Sequence, residues 1–276
     1  MARRKVLITV TTYPLPSRSY DELVCTAGIL ENGDWIRIYP IPLSFLFDLK
    51  NSNKLEQVKY RWIELDLVRR KDDFRPESHS PKHYDFRDIV VHNSIGTERN
   101  WAERKSLCCQ KVYTDLGQLI VDSKDPTNVS LATFKPTKIK RLVIENDTRE
   151  WKNEWKELRK QGDLFSEGAD PETMIRKLPY KFYYEFEDDK GKQSKMMIED
   201  WEIGALYWNC LARAEGIEAV ALRKVRQKYE VEFLYKKDIH LFLGTTKEGH
   251  MRRWPNPFVI IGVMYPNREV QTKLDL

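Results

Sequence analysis

The stretch Thr26–Pro42, TAGILENGDWIRIYPIP, decides how the chain is read. It reads as a β-hairpin turning at Asn32-Gly33, because an Asn-Gly pair readily takes the positive φ angles of a type I′ turn. Side chains alternate across a strand. Ile36 and Ile38 therefore share one face, which can bury, and Trp35, Arg37 and Tyr39 share the other. That second face sets a guanidinium between two aromatic rings. If exposed, it can stack bases and pair a phosphate. If covered, the rings pack under a neighbouring element and Arg37 reaches water or a carboxylate.

Outward from the hairpin, strands dominate. Lys5–Thr12 and the alternating Tyr60–Arg70 read as strands, as do Lys138–Glu145, Tyr180–Glu187 and Ser194–Ile198. Residues 71–100 are polar and irregular. Ser19 and Glu22 have the spacing of a helix-capping box. Trp151, Trp155 and Leu158 recur at helical spacing and predict an amphipathic helix over Thr148–Lys160. Gly162–Pro171 has a linker composition. Asp200 is placed to cap a helix running to Gly216, and Ile217–Lys228 predicts a basic helix. Tyr229–Tyr235, Ile239–Leu243 and Phe258–Tyr265 read as closing strands. The expected class is α+β, with largely antiparallel twisted sheets or a partly open barrel and a few amphipathic helices. A β-rich domain over 1–146 and an α+β domain over 147–276 are expected, with helix and linker at 147–178. One integrated domain is the alternative.

Composition sets the bounds. The 276 residues include 47 Lys and Arg against 42 Asp and Glu, a formal charge of +5, so the excess permits an anionic partner but local clustering must supply the field. Hydrophobic residues make up 41%, enough for a core and against a disordered chain. No apolar run reaches the roughly 18 residues of a membrane span. The apolar stretch Val6–Val10 is too short for a signal peptide and reads as an opening strand. Cys25, Cys108, Cys109 and Cys210 do not form a disulfide framework and fit a reducing cytoplasm.

Several clusters are candidates for chemistry. Lys247–Phe258, KEGHMRRWPNPF, places Arg252 and Arg253 beside Trp254 in a loop between strands, where binding residues concentrate. Arg223 and Arg226 lie on the basic helix and can add phosphate contacts. Glu64 and Asp66 share a strand face, with Asp73 following; converging carboxylates are what a Mg²⁺-dependent nuclease needs. The competing reading is a wet strand face with cross-strand ion pairs. The acidic groups around Glu187 and Glu199 suit turns and the Asp200 helix start. Arg75-Pro-Glu-Ser78 can present Arg75 and Ser78 to a phosphate, or form a surface turn closed by an Arg75–Glu77 pair. His79 and His83 with Cys108-Cys109 do not match structural zinc spacing, so no metal site is assigned. Nothing in the sequence pairs a cysteine with His92 or His240 as a nucleophile. Nucleotide-cradling loops, nucleophile elbows and zincin motifs do not occur.

A small twisted β-domain bearing an aromatic–Arg face resembles the base-reading barrels of the PUA and ASCH type over about the first third of the chain. This is a likeness of fold that transfers no residues. The expected function is nucleic-acid binding, to DNA or RNA, through Trp35, Arg37, Tyr39, Arg252, Arg253 and Trp254, as part of a processing or defence assembly. No cofactor is expected, other than Mg²⁺ under the nuclease alternative. A third reading is a protein-interaction subunit whose exposed aromatics are hot spots.

Overall fold

The computed structural model describes residues 2–13, 15–16, 22–42, 59–151 and 176–269. The expected Ser19 cap, the helix beyond Trp151 and the Gly162–Pro171 linker lie outside these residues. The fold is α+β.

The first part is a barrel. Its strands are β1 (Ala2–Thr11), β3 (Glu22–Leu30), β4 (Trp35–Pro42), β5 (Arg61–Arg69) and β6 (Ser78–Pro81). They run in the order β1-β3-β4-β6-β5, and β5 pairs back onto β1 from Ala2↔Leu67 to Ile8↔Arg61, so the barrel is closed. Closure removes the exposed edges a partly open sheet would carry. The short strands β2 (Leu15–Pro16) and β7 (Val90–Ser94) add to β3 and β5. Among the described residues of the barrel, β4 and β6 are the pair that runs parallel. Val6, Ile8, Ile36, Ile38, Ile63 and Leu65 fill the interior, as alternation requires.

The opening hairpin forms with a different turn. Gly33 has φ +82°, but Asn32 is not left-handed, so the two-residue type I′ turn is absent. The Asn32 side chain instead accepts the Asp34 N–H at 3.1 Å and donates to the Asp34 carboxylate at 2.8 Å. This local bonding widens the connection to Glu31–Asp34.

The second part holds two sheets. In one, β14 (Phe258–Met264), β13 (His240–Thr245), β9 (Leu131–Phe134) and β8 (Val112–Tyr113) lie side by side. In the other, β10 (Lys138–Asn146), β11 (Tyr180–Glu187) and β12 (Gln193–Met197) form an antiparallel meander. Helix α1 (Glu98–Cys108) precedes these sheets, and α2 (Leu116–Asp122) lies between β8 and β9. Helix α3 (Trp201–Arg213) is capped by Asp200, which accepts the Glu202 N–H. Because β9 and β10 pair with later strands, the sheets divide before β8, not at residue 146.

Tyr229–Tyr235 is helical. Helix α4 (Glu218–Arg226) runs into a π-helical segment, Gln227–Glu232, and then α5 (Phe233–Lys236). The alternation Tyr229, Val231, Phe233, Tyr235 imitates a strand. Yet Tyr229 and Phe233 also stand at i, i+4, and both bury on one helical face. Tyr235 is left on the outside.

The two parts share an apolar seam. β1 is buried on both faces: Val6 and Ile8 point into the barrel, while Leu7 and Val10 pack with Leu131, Phe242, Ile261 and Met264. Trp35 joins this seam, with its ring edge-on to Phe242 at 5.2 Å.

Candidate functional site

The hairpin's Trp–Arg–Tyr face is covered. Arg37 is 3% exposed and donates to Ser130 Oγ at 2.8 Å, to the Ser130 carbonyl and to Ser78 Oγ. Trp35 lies in the seam, and Arg70 sits over the Tyr39 ring at 5.3 Å. Base stacking needs free rings, so the exposed surface expected of these residues does not exist. β9 lies against β4 and supplies Ser130 at its start.

Arg37 belongs to a polar joint between the barrel and the second part. Glu77 accepts both the Ser130 N–H and hydroxyl, at 2.9 and 2.6 Å. Arg75 holds Asp73 through two bonds of 2.9 and 2.6 Å and donates to the Thr245 carbonyl at 2.8 Å. Burial opposes ionisation of Asp73, but the Arg75 bonds and charge outweigh it, keeping its carboxyl well below the usual carboxylate range. The expected surface turn with an Arg75–Glu77 pair is therefore replaced by two separate clasps that reach across the seam.

The proposed nuclease carboxylates are engaged elsewhere. Glu64 accepts from Arg3 at 2.6 Å and lies 3.2 Å from His92 Nε2; Asp66 faces Lys82 at 3.6 Å. These are the ion pairs of a half-exposed strand. Among the described residues, no three His, Cys, Asp or Glu side chains converge as a metal site. His79 bonds to the Glu77 carbonyl and His83 to Arg87. Burial pushes the Cys108 thiol up to about 12 and the Cys109 thiol up to about 11, so neither is a thiolate at neutral pH.

Two basic surfaces lie at opposite ends of β13 (His240–Thr245). At its C-terminal end, helix α6 (Lys247–Met251) carries the Arg252–Trp254 loop. Trp254 is exposed and its ring lies over Gly249, where a Cβ would come within 2.7 Å of Cε3. Arg252 pairs with Glu248 at 3.1 Å. On α4, Arg223 is exposed, whereas Arg226 is tied to Glu230 and the Leu142 carbonyl.

At the N-terminal end of β13 lies a groove of about 870 Å³ that sequence reading missed. Its cations are Lys105, Lys135, Lys138, Lys140, Lys237 and Arg268, against two carboxylates, Asp238 and Glu269, for a lining charge of six minus two, or +4. Lys135 pairs with Asp238, Lys105 with Glu269 at 3.0 Å, and Lys140 with Glu187, outside the lining, at 3.3 Å. Lys138, Lys237 and Arg268 have no carboxylate within ion-pair reach among the described residues. Arg268 donates to the Leu234 and Lys237 carbonyls at 2.7 and 3.1 Å, capping α5 while its charge stays uncompensated. Beneath the groove, burial first and the Lys135 charge next lower the pKa of His240. Tyr235, 75% exposed, stands on the groove wall.

The groove straddles the two parts. Lys105 comes from α1 and the remaining cations from the second part. Asn100, five residues before Lys105, exchanges two hydrogen bonds with the backbone of Asn267, at 2.9 and 2.7 Å. Arg99, Asn100 and Trp101 all have positive φ, a strained turn that these bonds and the packing of Trp101 on Tyr60 and Tyr265 hold in place.

Family comparison divides the chain near the same boundary. Residues 2–110 match a Domain of unknown function (DUF8758), and residues 116–276 match a Domain of unknown function (DUF8757). The chain belongs to the DUF8757 family. No curated protein matches it. Among solved structures, this DUF8757 chain is similar to a murine DNA-binding protein bound to double-stranded DNA. The identity is 8%, over 98% of this chain and 97% of that one, with a TM-score of 0.34. It is also similar to tetrameric p202 HIN2, at 11% identity, over 72% of this chain and 71% of that one, with a TM-score of 0.24. Among the described residues of the DUF8757 protein, no helix is long and apolar enough to cross a membrane.

Proposed function

We propose that this protein binds nucleic acid, and that the groove between α1, the β9–β10 connection and α5 is where it does so. The observation that carries the reading is the lining itself: six cations, only two carboxylates, and three cations left uncompensated. A chain whose overall charge is only +5 leaves three unpaired cations in one groove. A concave site of predominantly positive charge focuses the field on an anionic polymer. The Arg252–Arg253 loop, at the far end of β13, is a secondary contact in this reading.

The test is the salt dependence of binding to a labelled oligonucleotide, followed by fluorescence anisotropy. Each phosphate contact contributes a slope of about −0.7 for a single strand or −0.9 for B-DNA in a log–log plot. Lys138→Ala with Lys237→Ala is expected to flatten that slope by about one and a half. Binding that ignores salt, or a double variant indistinguishable from the parent, overturns the proposal.

A further inference from the structure

We infer that the nucleic acid held by the groove is single-stranded, with one base stacked on Tyr235. The inference rests on the groove being the binding site. Its starting point is the placement of a large ring. Tyr229 and Phe233, on the same helical run, are buried, and Phe233 stacks on Tyr265 at 4.3 Å. Tyr235 is turned the other way and is 75% exposed. No hydrogen bond, ring contact or cation contact engages it among the described residues. Its backbone, in contrast, is fixed. Arg268 closes the carbonyl end of α5, and the Arg268 N–H donates to the Lys236 carbonyl at 3.1 Å. The ring is thus an exposed platform on a fixed helix end, in a groove that lysines also line.

Lysines reach phosphates on a duplex or a single strand alike. A ring does not, because duplex bases are stacked on one another and paired inside the helix. An aromatic side chain adds affinity when a base has left that stack. A concave basic channel with a stacking ring on its wall is the combination that tracks a single strand without reading its sequence. Lys138 and Lys237 would take phosphates flanking the stacked nucleotide.

The experiment compares a labelled oligothymidylate with a duplex of equal length, by anisotropy over a salt series. The parent protein is expected to bind the single strand more tightly. Tyr235→Ala should weaken single-strand binding by about 5- to 150-fold, leaving duplex binding and both salt slopes unchanged. Tyr235→Phe, which keeps the ring, should retain parental affinity. Equal or tighter binding of the duplex, or an equal loss on both forms in Tyr235→Ala, overturns the single-strand inference. If instead salt-dependent duplex binding persists and falls only in the Lys138/Lys237 variant, the groove stands and the Tyr235 role fails. If neither form binds, both fall. Tyr235 is a surface residue, and an unchanged thermal melt of each variant excludes misfolding as the cause.

Discussion

The polar joint and the lysine groove both gather cations where the barrel meets the second part, yet they are opposites. In the joint, Arg37 and Arg75 are buried and every contact is internal: serine oxygens, a backbone carbonyl, and the Asp73 carboxylate. In the groove, Lys138 and Arg268 are exposed and Lys237 is half-buried, its ammonium donating to Asn267 Oδ1 at 2.6 Å, and among the described residues no carboxylate answers any of the three. Arginine suits the first place because its planar fork satisfies several acceptors at once. Lysine suits the second because a flexible, hydrated point charge follows a polymer backbone. Burial and internal pairing therefore separate architecture from binding surface better than the local density of charge does.

The strongest challenge to this contrast is Arg75→Ala, which strands the Asp73 carboxylate inside the seam. A loss of about 3–5 kcal/mol in urea unfolding is expected, with the salt slope of oligonucleotide binding unaltered in whatever folded fraction remains. A change in slope would mean the joint also touches nucleic acid. Next in size is Arg37→Met, expected to cost about 1–3 kcal/mol because Ser130 and Ser78 lose a buried partner.

The joint should also show itself in acid. The Asp73 pKa is depressed in the folded state, so its contribution is fully present above the unfolded value of about 3.9 and is lost as pH falls below it. The parent's urea midpoint should drop on acidification below about pH 5, and Asp73→Asn should drop less steeply over that window. An identical pH profile for the two proteins would show the clasp to be energetically silent. The smallest effect is expected for Arg252→Ala with Arg253→Ala. These are exposed cations at the far end of β13, and stability should move by less than about 0.5 kcal/mol, with oligonucleotide affinity reduced less than in Lys138→Ala with Lys237→Ala. A larger loss of affinity would move the main binding surface to that loop.

Much of the scaffold could be read from residue patterns. Ile36 and Ile38 alternate with Trp35, Arg37 and Tyr39 and are buried as expected; Phe182, Tyr184 and Phe186 fill one face of β11. Asp200 caps its helix. What alternation does not tell is which outer face a neighbouring element will cover. Arg37 looks like a solvent residue until Ser130, 93 positions later, closes over it. The groove was hidden for a related reason. Lys135, Lys138 and Lys140 sit close together around Pro136, but Lys105, Lys237 and Arg268 arrive from distant segments. Tyr235 was masked by an apparent strand. The counter-signal was present in the i, i+4 spacing of Tyr229 with Phe233 and of Arg226 with Glu230, the latter an ion pair of 2.5 Å.

The doubly buried β1 has a further consequence for recognition. Its inner side chains belong to the barrel and its outer ones to the seam, so the two parts cannot shift against each other without opening both cores. Lys105 on one side and Lys135 on the other are thereby kept at a set spacing before any partner arrives. A groove so held loses little freedom on binding beyond that of its own lysine side chains, and more of each contact is left to appear as affinity. In this protein the stiffness of one strand becomes a property of a surface it never reaches.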